Sequence, residues 1–137
     1  MAKIILASHG GLSKGMKDSV SMIVGDLAKD IETYSLLPGQ NPEDFYQEVL
    51  KEAKESDERI LILCDIKGGS VHTALSKLAV LDNVMVFSGM NMGLVLDAVM
   101  KGLDGKLELA EANDLIEAAK DGMTVMNGMT SEDDEDF

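Results

Sequence analysis

The chain has 137 residues, 45% of them apolar, which is enough for one domain with a substantial hydrophobic core. A net charge of −13 argues against nucleic acid and anionic membrane surfaces as partners. Cys64 is the only cysteine, so no disulfide can form within the chain. No apolar stretch approaches the roughly 18 residues that span a bilayer, and Met1 leads into a short strand-like run rather than a signal peptide, so a cytoplasmic protein is expected.

Ile4–Ala7 is a short unbroken apolar run and predicts a first strand buried on both faces. Leu12, Met16, Val20, Ile23 and Leu27 then recur at three- and four-residue steps and predict a helix. Ile31–Leu36 alternates apolar and polar, as a strand with one wetter face does. Asn41-Pro42-Glu43 is a cap and first turn for a second helix striped by Phe45, Val49 and Ala53. Ile60–Cys64 is another buried-strand run, and Cys64 within it reads as a core thiol. Val71, Leu75 and Leu78 stripe a third helix, Val84–Phe87 is a fourth strand, and Leu94, Val95, Ala98 and Val99 mark a fourth helix. Leu115, Ala118 and Ala119 mark a fifth helix that Asp121-Gly122 ends. Met123–Met126 has β-propensity and should pair with an exposed sheet edge. Residues 1–130 form one domain in this reading. Ser131–Phe137, with acids from Glu132 to Asp136, is too polar to pack and is expected to be disordered.

Strand and helix alternating four times is the layout of an α/β doubly wound sheet, with parallel strands and helices on both faces. Right-handed crossovers put strands 2 and 3 on opposite sides of strand 1, and the alternating second strand suits an edge. The predicted order is therefore 2-1-3-4. In such sheets function collects beyond the carboxyl ends of the strands, where chain order reverses. Strand 1 ends at Ser8-His9-Gly10-Gly11 and strand 3 at Asp65-Ile66-Lys67-Gly68-Gly69-Ser70. Topology thus brings His9 and Asp65 to one crevice.

The pair has a chemical logic. An imidazole that attacks phosphorus must be neutral and present a chosen nitrogen, and a carboxylate on the other nitrogen selects the tautomer and aims the ring. Gly10 and the Gly68-Gly69-Ser70 segment supply turns whose N–H groups could approach an anion, with Ser70 placed to cap the third helix. Taken alone, either turn is no more than a tight strand-to-helix connection. No arginine stands beside His9, no GxxxxGK[ST] loop is present, and strand 1 lacks the acidic cluster of a Mg²⁺-dependent receiver. A nucleophile with an orienting carboxylate and no clamp for a small phosphate ester suits a relay between proteins. His72 could join His9 and Asp65 around a metal. Its place in a first helical turn favours packing or partner contact, so neither metal nor cofactor is expected.

Strand–Ser8-His9-Gly10 and strand–Asp65-x-x-Gly68-Gly69-Ser70 together resemble the IIA domain of the mannose-type sugar phosphotransferase system. The likeness runs to about Asn127 and takes in Pro38-Gly39-Gln40-Asn41 and Gly89-Met90-Asn91-Met92. It implies a homodimer whose short C-terminal strand is antiparallel and exchanged between subunits. It also implies a phosphotransferase in which His9 accepts a phosphoryl group from the phosphocarrier HPr and passes it to a IIB component during sugar uptake. Asp65 would orient His9 and Ser70 would bond the phosphate, and any membrane association would be peripheral, through transporter components. Ile66, Lys67 and His72 depart from the family, which often has a hydroxyl residue followed by an aromatic after the aspartate, and another aromatic at the position of His72. Two alternatives carry different roles: the phosphotransferase subunit of dihydroxyacetone kinase, and a non-catalytic anion-binding module.

Overall fold

The computed structural model describes residues 1–128. The apolar runs form the strands β1 (Lys3–His9), β3 (Ile60–Cys64) and β4 (Val84–Phe87), and the alternating run forms β2 (Glu32–Leu36). All neighbouring strands are parallel and the order is β2-β1-β3-β4. Every residue of β3 is buried and none of β2 is, which is the difference between a central strand and an edge.

The register divides the core in two. Ile4 and Leu6 face the helices α1 (Leu12–Val24), α4 (Met92–Gly102) and α5 (Leu109–Asp121), packing with Val20, Leu94, Ala98 and Leu115. Ile5 and Ala7 point the other way, toward α2 (Pro42–Glu55) and α3 (Ser70–Leu75), and pack with Phe45, Val49, Val71 and Leu75. Period-two alternation in β1 is thus what separates the helices onto two faces. Asn41 caps α2 by accepting the Glu43 N–H at 3.0 Å, with Pro42 in the first turn. Burial pushes the Cys64 thiol up to about 12, with the Asp65 charge adding to the shift. That thiol is a core residue, as expected.

Three details differ from the expectation. The first helix does not run to Leu27. It stops at Val24, because Gly25 takes φ +61°, and a short 3-10 turn covers Gly25–Ala28. Ile23 and Leu27 are consequently exposed. The third helix also ends early, at Leu75, and Leu78 is buried from a second 3-10 turn. Ala118 faces solvent, and Ala112 with Leu115 forms the buried side of α5. Met123–Met126 makes no strand within the single chain, and Met123, Val125 and Met126 are exposed. The acidic segment 131–137 lies outside the described residues. Among the described residues no helix is long and apolar enough to cross a membrane.

Candidate functional site

Parallel pairing carries the chain of β1 two residues beyond its last partner in β3. Asp65 continues the ladder by donating its N–H to the Ala7 carbonyl at 3.1 Å, which sets its side chain beside His9. One carboxylate oxygen, Oδ2, accepts both the backbone N–H of His9 and its ring Nδ1, each at 2.8 Å. The other, Oδ1, accepts the Ile66 N–H at 2.9 Å. Burial acts to raise the Asp65 pKa, but these hydrogen bonds from His9 and Ile66 outweigh it and hold the carboxyl below its usual value.

An ionised carboxylate only accepts, so the shared proton between Asp65 and His9 sits on Nδ1. The lone pair of Nε2 is then free. It faces the Ser70 hydroxyl, whose Oγ is 3.0 Å away and donates to it. Asp65 has a side-chain exposure of 9% and His9 of 49%, so the anchor is buried and the ring opens to solvent. The geometry therefore offers an aimed nitrogen nucleophile at the surface, with a negative charge behind it.

His9, Asp65 and Ser70 are brought together as the sequence implies. The roles of the remaining residues change. Ser70 does not cap α3: the cap residue is Gly69, without a side-chain bond, and the Ser70 hydroxyl goes to His9 instead. The expected phosphate donors are also engaged elsewhere. The N–H of Gly10 donates to Leu36 O at 2.9 Å, that of Gly69 to Ile66 O at 3.2 Å, and that of Gly68 to His72 Nδ1 at 3.1 Å. Gly69 matters for its missing side chain. A Cβ there would lie 3.3 Å from His9 Cε1 and 2.8 Å from Ile66 Cγ2.

Two residues given no role in the sequence analysis, Ser8 and Ser13, shape the site. Ser8 is fully buried; its Oγ accepts the Ser13 N–H at 2.8 Å and donates to Gly10 O at 3.2 Å, which fixes the turn from β1 into α1. Ser13, equally buried, donates to the Tyr34 carbonyl at 2.9 Å and ties α1 to β2. A polar residue at the end of an apolar strand was the available signal for Ser8. His72 ties the glycine turn to α3. Lys67 lines a groove along β4 with Phe87, Ser88 and Lys120.

The model of the EIIA-man family, described as PTS system fructose IIA component, matches residues 3–120. The chain is 31% identical over 101 residues to the sorbose-specific EIIA component of the phosphotransferase system of Klebsiella pneumoniae, covering 72% of this chain and 73% of that one. Among solved structures, the mannose/sorbose-specific IIA subunit from Enterococcus faecalis shares the fold. Its TM-score is 0.78 at 23% identity, over 94% of this chain and 97% of that one. The phosphotransferase system component EIIA from Streptococcus agalactiae gives a TM-score of 0.76 at 25% identity, over 91% and 97%.

Proposed function

The chain belongs to the EIIA-man family, the mannose-type IIA components of sugar phosphotransferase systems, and from that membership we propose that it is a phosphoryl relay acting through His9. One observation carries the reading: Asp65 accepts the hydrogen bond from His9 Nδ1–H and leaves Nε2 open at a half-exposed ring. The donor is phospho-HPr and the acceptor a IIB component, both met at the cytoplasmic face of a membrane transporter with which this chain associates only peripherally.

In the accepting step the Nε2 lone pair attacks phosphorus. A nitrogen–phosphorus bond forms on His9 as the one on the donor histidine breaks, and the donor imidazole leaves with the electron pair. Positive charge develops on the His9 ring, and the carboxylate of Asp65 stabilises it through the Nδ1–H bond. Ser70 turns its hydroxyl from Nε2 to a phosphoryl oxygen. Gly10, Gly68 and Gly69 shape the space for the phosphoryl group. Delivery to the IIB component is the same exchange with His9 as the leaving group.

The relay is read as a homodimer of one-domain subunits. Among the described residues, no strand lies beside the outer edge of β4, and the groove there is lined by Val84, Val86, Leu109 and Ile116. Met123–Met126 follows α5 as exposed apolar chain. An antiparallel pairing of that segment with β4 of a second copy satisfies both. A chain ending at Gly122 should sediment as a monomer; if it stays dimeric and equally stable, the exchanged strand is wrong. The relay itself is tested by incubation with phosphorylated phosphocarrier protein and intact-mass analysis at neutral pH. One phosphoryl group, labile in acid and stable in base, is expected. An unmodified mass, or label on Ser70, overturns the reading.

A further inference from the structure

We propose that His72 is a positioning residue of this site, its neutral imidazole holding the Gly68-Gly69-Ser70 turn against His9; the inference rests on the relay reading above. The Gly68 backbone N–H lies 3.1 Å from His72 Nδ1. An amide nitrogen only donates, so Nδ1 accepts and the His72 proton is on Nε2. The turn needs such a tether. Gly68 takes φ +80°, a conformation that exposes its N–H away from any regular ladder. Thr73, the next residue of α3, closes the other side: its N–H donates to Gly69 O at 2.8 Å and its hydroxyl to Gly68 O at 3.4 Å. Consecutive residues of one helix thus hold consecutive peptide groups of the turn.

What the turn then touches is the reacting ring. Gly69 packs where a Cβ would come within 3.3 Å of His9 Cε1, and Ser70 Oγ sits 3.0 Å from His9 Nε2. Asp65 fixes the ring from the Nδ1 side, and the turn fixes it from the Cε1 and Nε2 side. A small displacement of the turn misplaces the Ser70 hydroxyl at the step where it must meet a phosphoryl oxygen, and orientation of that kind acts on the rate of the bound complex more than on its formation. An aromatic carbon ring at position 72 fills similar space and provides no acceptor for Gly68.

Two substitutions separate the acceptor from the ring. His72→Asn puts an acceptor oxygen on Cγ where the imidazole has Nδ1, and His72→Phe keeps a ring without an acceptor. Single-turnover phosphorylation of the full chain is followed against concentration of phosphorylated phosphocarrier protein. The limiting rate of His72→Phe should fall about tenfold, with the half-saturating donor concentration little changed, and His72→Asn should recover to within about threefold of wild type. Nitrogen-15 NMR of the unmodified wild type should show His72 protonated at Nε2, with a coupling across the hydrogen bond between Gly68 N and His72 Nδ1. A wild-type rate in His72→Phe, equal losses in both variants, or a His72 proton on Nδ1 overturns the inference. A wild-type chain that takes no label overturns the relay reading, and this is distinguishable because the NMR signature is independent of phosphorylation.

Discussion

The chain's two histidines stand at the same end of the sheet and carry opposite tautomers. His9 faces a carboxylate, so its proton is drawn to Nδ1 and Nε2 is left bare toward Ser70. His72 faces a backbone amide, so its Nδ1 is the acceptor and its proton is on Nε2. The residue type is shared, and the partner of Nδ1 decides what each ring can do. On the proposed relay reading, the carboxylate makes His9 a nucleophile with a stabilised positive charge, whereas the amide makes His72 a fixed strut. Neither assignment follows from the imidazole alone.

Breaking the nucleophile should give the largest effect. His9→Ala removes the proposed phosphoryl acceptor, so labelling by phosphorylated phosphocarrier protein should vanish, as read by intact mass. His72→Ala should still be labelled, more slowly. If the two variants lose label alike, the distinction between nucleophile and strut collapses.

Exchanging the carboxylate for an amide tests whether charge and tautomer make His9 what it is. Asp65→Asn keeps the shape but cannot satisfy every donor around it. Oδ2 receives two N–H groups from His9 and Oδ1 receives one from Ile66. An asparagine has one oxygen, so either orientation leaves a backbone N–H facing an NH₂ group. One orientation also donates to Nδ1 and moves the ring proton to Nε2. Phosphoryl transfer should slow about 10³-fold while the protein remains folded, with stability reduced by about 1–3 kcal/mol. Transfer at the wild-type rate would show that tautomer selection is not what Asp65 contributes.

Removing the hydroxyl that faces Nε2 should matter less. Ser70→Ala leaves the lone pair and the carboxylate in place and deletes the bond proposed to the phosphoryl group. Transfer should slow by about 1–3 kcal/mol of barrier, roughly five- to 160-fold, if that bond is made mainly in the transition state. An unchanged rate would mean that Ser70 only rests against the idle ring.

The strands could be read from the sequence because burial on two faces leaves a compositional mark. Ile60–Cys64 and Val84–Phe87 were expected with the boundaries they have, and the alternation of Ile31–Leu36 placed β2 at an edge. His9 and Asp65 could be paired because sheet order follows from chain handedness. Hydrogen bonds inside the loops could not. Whether the N–H of Gly68 points to a phosphate or to His72 depends on one φ angle, and apolar periodicity carries no record of it. The same blindness extended the first helix through Gly25, since Ile23 and Leu27 keep helical spacing across a turn whose backbone has already changed. Ser70 was read as a cap because serine beside a helix start usually is one. Here Gly69 occupies the cap position, and the hydroxyl is free for His9.

The smallest effect expected is on stability in acid, and it isolates the carboxylate half of the contrast. The Asp65 carboxyl is held below its usual value in the folded chain, chiefly by bonds from His9 that outweigh its burial. A group depressed in this way adds stability in full above its unfolded pKa, about 4 for aspartate, and loses it as pH falls through the folded value. Wild type should therefore exceed Asp65→Asn in urea midpoint at about pH 5, and the gap should narrow as pH falls through the folded value. The difference between the two proteins matters here, because every other carboxylate titrates in both and cancels. A gap for Asp65→Asn that stays constant from pH 5 to pH 2 would mean that the folded chain does not favour the ionised carboxylate, and the argument that places the His9 proton on Nδ1 would lose its physical basis.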